Sequence, residues 1–275
     1  MKHVKVAVLD SGIAEELVDC RIIGKKQIYY DYYDSRFIYD EKTADYNGHG
    51  TAFVDTMWGI CPEAEVYVVK FLGISGRASD GAFLEALRYA ETLPVDVIAI
   101  PSSYVQENIS NEVFQICDRI WKKGVIIVSS VKNGEESSHV ADYENVIGVR
   151  GIESKEDEYY FSRSQTIQML CSSEPIVVRA SNGVRKVFQG NSKATAIATG
   201  IIARCLSQHP QEDFLSVLEN GGRNVPPKKK WVYFDAEKER YYCENDENYQ
   251  RFIYLLCDYF FENGTSNVRK EDLLS

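Results

Sequence analysis

The sequence predicts an α/β fold: a doubly wound, mostly parallel sheet with helices on both faces, plus a small C-terminal hairpin-helix appendage. Three observations carry this. Short apolar runs alternate with amphipathic segments of ten or more residues, the pattern of βαβ units. The runs at 4–9, 95–100 and 125–131 show little polar alternation, as strands buried on both faces do. The 275 residues, 44% apolar and 26% charged, are enough for one large core and too apolar for a disordered chain.

Taken in order, residues 4–9 form a first strand that ends at Asp10-Ser11-Gly12. Residues 28–46, dense in Tyr and Asp without a clean period, read as loop and ragged strand. Residues 51–58 predict a helix that opens at the histidine of Gly48-His49-Gly50, and 65–72 a strand. Residues 80–91 place Phe83, Leu84, Leu87 and Ala90 on one helical face, with Asp80 as the N-cap. A buried strand at 95–100 leads to a helix at 110–122, with Val113, Ile116, Cys117 and Ile120 inward and Gly124 as its stop. Strands at 125–131 and 146–149 follow. Functional groups of such sheets gather beyond the carboxyl ends of the strands, where Asp10 and the segment after Val131 lie.

Pro226-Pro227 and the three lysines at 228–230 break the pattern. Segments 231–235 and 240–243 then read as a hairpin. Residues 246–262 form a helix carrying Phe252, Leu255, Leu256, Tyr259 and Phe260, stopped by Asn263-Gly264. This divides the chain into a main domain, 1–227, and an appendage, 228–275, packed on it.

With 41 acids against 31 bases the net charge is −10, which disfavours nucleic acid and anionic membranes as partners. No run approaches the roughly 18–20 apolar residues of a membrane span, and the N-terminal run is too short for a secretory signal. Cys20, Cys61, Cys117, Cys171, Cys205, Cys243 and Cys257 are odd in number and never spaced C-x-x-C. Neither a disulfide framework nor a zinc site is expected, and a reducing, cytoplasmic location is. Cys20, Cys117, Cys171, Cys205 and Cys257 read as core fillers. His3, His139 and His209 lack ligand partners, and Asp31, Asp34, Asp40 and Asp45 read as a solvated acidic loop, so no metal is expected. Neither G-x-G-x-x-G nor G-x-x-x-x-G-K-[ST] joins a strand to a helix, which argues against a nucleotide cofactor.

Three local patterns remain: Asp10-Ser11-Gly12, Asn47-Gly48-His49-Gly50-Thr51 and Gly190-Asn191-Ser192-Lys193-Ala194. Singly, an acid after a strand is also a turn residue, and Ser192 before an apolar run is also a helix N-cap. Together they supply what nucleophilic acyl transfer needs. A serine hydroxyl requires an imidazole to take its proton, and a carboxylate fixes the ring's tautomer and steadies its charge. A serine at a helix start also meets backbone N–H groups and the positive end of the dipole, which favour an oxyanion.

On these residues the sequence resembles the subtilisin-like serine proteases, from about Val4 to about Gln208. The order Asp10, His49, Ser192 is that family's, Asp10-Ser-Gly matches its acid motif, and Gly48-His49-Gly50-Thr51 its histidine motif. The run 62–70 is similar to the family's next strand, and 127–133 to the strand ending in its oxyanion asparagine. The resemblance implies that Asn133 and the backbone N–H of Ser192 hold the oxyanion; Asn133-Gly134 alone is equally a turn dipeptide. It also implies peptide or protein substrates and no cofactor. Asn191, Lys193 and Ala196 depart from the family's serine motif, and Lys132 stands where a glycine is usual. Lys132, with Ser102 and Ser103, would border the pocket for the residue before the cut bond, with Lys132 either narrowing it or facing solvent. With the first strand starting so near Met1, neither signal nor propeptide is expected. The expectation is an intracellular endopeptidase of narrow specificity, a maturation or leader-removing peptidase. The alternative is a catalytically silent, protease-like binding protein.

Overall fold

Two apolar layers, one on each face of a central sheet, organise the chain. The computed structural model describes residues 2–102, 109–155, 158–179, 185–223, 232–235 and 240–243. In chain order the elements begin with β1 (Lys5–Asp10), β2 (Arg21–Asp31), β3 (Arg36–Asp40) and α1 (His49–Ile60). Next come β4 (Glu65–Lys70), α2 (Asp80–Glu91), β5 (Val97–Ile100), α3 (Ser110–Lys122), β6 (Ile126–Ser130) and β7 (Ile147–Ile152). Then follow β8 (Tyr159–Phe161), β9 (Met169–Ser172), β10 (Ile176–Arg179), β11 (Arg185–Phe188), α4 (Gly190–Gln208) and α5 (Phe214–Gly221). The last are β12 (Val232–Asp235) and β13 (Arg240–Cys243).

Nine strands form one sheet in the order β3-β2-β4-β1-β5-β6-β7-β9-β8. Its interior is parallel, and only the edge pairs β2–β3 and β8–β9 run antiparallel. The strand order reverses at β1, which has β4 on one side and β5 on the other, so the carboxyl end of β1 is where a site is expected. Helices α1 and α4 bury Phe53, Met57, Ile197 and Ile201 on one face; α2 and α3 bury Leu87, Ile116 and Ile120 on the other. Strands β5 and β6 are buried at every position, which explains their unalternated sequence.

Helices α2 and α3 span the residues that periodicity predicts. The cap of α2 is a correction: Ser79, not Asp80, accepts the Ala82 N–H, at 3.3 Å, and Asp80 is the first helical residue. Residues 28–46 are a larger one. Most of them belong to an antiparallel hairpin of β2 and β3, paired from Gln27↔Asp40 to Asp31↔Arg36. Because this hairpin lies at the sheet edge, its strands are mostly half-buried and carry polar and tyrosine residues, which hid the period. Strands β8 to β11 are three or four residues long, too short to read from periodicity. Strands β12 and β13 pair as the expected hairpin; the helix at 246–262 lies outside the described residues.

Helices α1 and α4 touch where Gly200 stands. A Cβ there would lie 2.7 Å from the Met57 carbonyl oxygen and 2.8 Å from the Ile60 Cβ, so only glycine allows this approach. Gly59, by contrast, is exposed with nothing within 4 Å of an added Cβ. Gly200→Val is therefore expected to destabilise by about 1–3 kcal/mol or more through overpacking. Gly59→Ala is expected to stabilise by up to ~1 kcal/mol through helix propensity. Urea unfolding midpoints of the two variants moving in opposite directions would bear out this packing.

Candidate active site

Asp10 is the last residue of β1 and 1% exposed. Its two carboxylate oxygens lie 2.9 and 2.8 Å from His49 Nδ1, and one of them accepts the Ser11 N–H. His49 opens α1, so the ring's position follows from where that helix starts. Gly50 fixes the start: a Cβ there would lie 2.3 Å from the Gly12 carbonyl oxygen and 3.3 Å from Asp10 Cβ. The small residue after the histidine thus lets the helix rest on the strand end and brings ring to acid.

Asp45 holds this junction together. It is 2% exposed, not part of a solvated acidic loop as its composition suggests. Oδ1 accepts from Ser11 Oγ at 2.8 Å and from the N–H groups of Asn47 and Gly48; Oδ2 accepts from the Thr51 N–H and Oγ1. Burial pushes its carboxyl up, but these hydrogen bonds from Thr51, Gly48 and Ser11 outweigh burial and hold it below its ordinary value. The sequence signal was present: an Asp two and three residues before Asn-Gly is an Asx turn.

Ser192 is the third residue of α4, whose N-cap is Gln189. The serine is therefore not a cap. Its hydroxyl donates to the Pro101 carbonyl, just past β5, at 3.0 Å, and makes no hydrogen bond to His49. Asn191 is a brace: its Nδ2 donates to the Val131 carbonyl at 2.8 Å, and its Oδ1 accepts the Gly151 N–H at 2.7 Å. Its backbone N–H donates to Asn133 Oδ1 at 2.9 Å. With Oδ1 engaged, the donor end of the Asn133 amide makes no hydrogen bond among the described residues. Lys193, 0% exposed, donates to the Glu174 carbonyl at 2.8 Å.

Both helices start at the carboxyl edge of the sheet. They meet at Met57 and Gly200, each eight residues after His49 and Ser192 respectively. Phe188, on the strand that leads into α4, sets its ring edge-on to His49 with centroids 5.5 Å apart. Burial pushes the imidazole toward its neutral form. The charge and hydrogen bond of Asp10 more than reverse this, so its pKa lies above the ordinary histidine value; Lys186 opposes the rise and Asp45 adds to it.

A model of the subtilase family matches residues 1–220. The chain belongs to the subtilase family. It is 24% identical over 225 residues to subtilisin DY of Bacillus licheniformis, covering 76% of this chain and 78% of the relative. It is 28% identical over 241 residues to the major intracellular serine protease of Bacillus subtilis (strain 168), covering 78% and 71%. A solved cold adapted subtilisin-like serine proteinase superposes with a TM-score of 0.62 at 17% identity, covering 79% and 81%, a likeness of fold. This subtilase is a serine endopeptidase.

The other residues singled out in the subtilase sequence have varied surroundings. Ser102 follows Pro101 and is half-buried, while Ser103 lies outside the described residues. Lys132 is half-buried and paired with Glu135, so its charge is already matched. Buried Cys20, Cys61, Cys117, Cys171 and Cys205 are free thiols, and burial pushes Cys20 up to about 12 and Cys61 to about 11, far from thiolate nucleophiles. Half-buried His209 pairs with Glu212. No group of three or more His, Cys, Asp or Glu fit to hold a metal occurs among the described residues. A cavity of about 300 Å³ between β8, β9 and α5 holds none of the residues above.

Asp45 gives this subtilase a defined acid sensitivity. Because its folded pKa is depressed, its stabilisation is full above the unfolded value of about 3.9 and fades as pH falls through the folded value. Asp45→Asn is expected to cost about 1–3 kcal/mol at pH 7. Its stability should also fall less steeply than wild type below about pH 4. Urea midpoints across pH 3–7 check this, and parallel curves would refute it.

Proposed function

We propose that Asp10, His49 and Ser192 are the catalytic triad of this endopeptidase, with Asn133 and the backbone N–H of Ser192 as oxyanion donors. The observation that carries the reading is the Asp10 carboxylate on Nδ1 of a ring that opens α1, beside the start of α4. The hydroxyl of Ser192 turns from Pro101 toward His49 Nε2 and attacks the peptide carbonyl while the ring takes its proton. The ring then gives that proton to the leaving amine, and water releases the acyl group by the same route. Asp10 holds the proton on Nδ1, leaving Nε2 free as base. Asn133 presents N–H donors because its oxygen is committed to Asn191, and a neighbouring helix N-terminus adds its dipole.

The substrate is a peptide or protein segment, cut with narrow specificity in the cytoplasm, as by a maturation or leader-removing peptidase. Narrowness is supported by Lys132 standing beside Asn133 where the family usually has glycine, with its ion pair to Glu135 adding bulk there. The location is supported by a relative named as an intracellular serine protease. No helix among the described residues is long and apolar enough to cross a membrane.

A fluorophosphonate probe tests the triad directly. It is expected to label Ser192 in the native protein, with labelling lost in Ser192→Ala and His49→Ala and the adduct mapped by mass. Asn133→Ala is expected to keep the nucleophile but lower kcat on a cleaved peptide by about 10²–10³. A well-folded native protein that takes no label would overturn the reading in favour of the silent, protease-like binding protein.

A further inference from the structure

Lys186 lies on β11, six residues before Ser192, and its strand runs directly into α4. It is half-buried, and its Nζ donates to the Asn47 carbonyl at 2.9 Å, with a longer contact of 3.4 Å to Asn47 Oδ1. Asn47 belongs to the turn that delivers His49, and its own Nδ2 donates onward to the Ile74 carbonyl at 2.9 Å. Two residues along the same strand, and so on the same face, Phe188 stands edge-on to the His49 ring. One strand face therefore carries an apolar wall to the ring and a cation to the turn before it, and the ammonium straps the segment entering α4 to the turn carrying the ring.

We propose that Lys186 is a positioning residue for His49, an ammonium that locks the base's turn to the nucleophile's strand and sets a fixed positive charge beside the Asp10–His49 pair. This rests on the triad reading above and goes beyond it. Among the described residues, the charged groups that act on the ring include Asp10 from β1, Asp45 from the turn before α1, and Lys186 from β11. Lys70, from β4, acts on Asp45. Both carboxylates favour the imidazolium and Lys186 alone of these opposes it. Burial disfavours the ammonium, and Asp45 and Asp10 counter that loss. The sign follows: with the cation present, the ring sheds its proton at lower pH, so more of the base is free at neutral pH. The same cation makes the imidazolium formed during attack a stronger acid toward the leaving amine.

The test compares wild type with Lys186→Met and Lys186→Arg by two readouts. The first is an NMR titration of the His49 ring, which needs no turnover. The second is the pH profile of kcat/KM on a cleaved peptide. Lys186→Met is expected to move the His49 midpoint and the acid limb of the profile to higher pH, and to lower kcat/KM at neutral pH on the order of tenfold through the loosened turn. Lys186→Arg is expected to restore both positions. An unmoved His49 midpoint in folded Lys186→Met overturns the proposal, as does a midpoint that moves equally in both variants. Should Lys186→Met not fold, Lys186→Gln takes its place: an upward-shifted His49 midpoint in it supports the proposal and an unmoved one overturns it. A midpoint that moves as expected in a protein that takes no fluorophosphonate label supports the role of Lys186 and defeats only the triad reading.

Discussion

The Asp45 carboxylate accepts five hydrogen bonds, from Ser11, Asn47, Gly48 and, twice, Thr51, with almost no exposure to solvent. A buried charge is tolerated only when so satisfied, and its donors come from three parts of one junction. Ser11 is the first residue past β1, Asn47 and Gly48 form the turn, and Thr51 lies in the first turn of α1. Loss of this one anion would leave five N–H or O–H groups competing for other acceptors, and the start of α1 would no longer be tied to the end of β1. The ring stands where it does because the junction is closed by electrostatics and kept close by Gly50.

The half of the candidate site that carries Ser192 is built by a different rule. Asn191 reaches both β6's end and β7 with one amide, and Lys193 ties the next turn to the Glu174 carbonyl. An asparagine offers a donor and an acceptor at opposite corners of a rigid plane, so it can pin a helix start to two strands at once. A threonine, the family's usual residue there, has a single hydroxyl. The departures at 191 and 193 are thus anchors of the loop that carries Ser192. The two halves come together through the α1–α4 contact, whose closeness rests on Gly200.

The central sheet was legible because β1, β5 and β6 are buried on both faces and announce themselves as unbroken apolar runs. Helices α2 and α3 were legible because each has one inward stripe. The β2–β3 hairpin was not, since an edge hairpin keeps polar and aromatic residues on a partly wet face and shows no period. The candidate site was legible in its acid, histidine and serine, each flanked by small residues for close approach. Asp45, Lys186 and the bracing role of Asn191 were not, because their partners are distant in sequence or backbone groups without sequence identity. Asp45 is the instructive case: an acid among acids and tyrosines looks solvated until its donors are found.

The Ser192 hydroxyl is bound to Pro101 and not to His49, and the size of that obstacle decides whether it matters. A neutral hydrogen bond contributes about 0.5–1.5 kcal/mol net, so releasing the hydroxyl costs roughly a factor of ten in rate at most. Enzymes lower their barriers by about 8–23 kcal/mol, so a rotation of this cost does not separate a working protease from a silent one. Silence would need the loss of something larger: the carboxylate behind the ring, the donor end of Asn133, or the register of the two helices. Asp10 is in place at 2.8 and 2.9 Å, and Asn133 has its oxygen turned to Asn191. The helices are locked at Gly200. On the proposed reading the carboxylate, the amide and the helix contact are in place among the described residues, and the Ser192 hydroxyl is the part that turns when a peptide arrives.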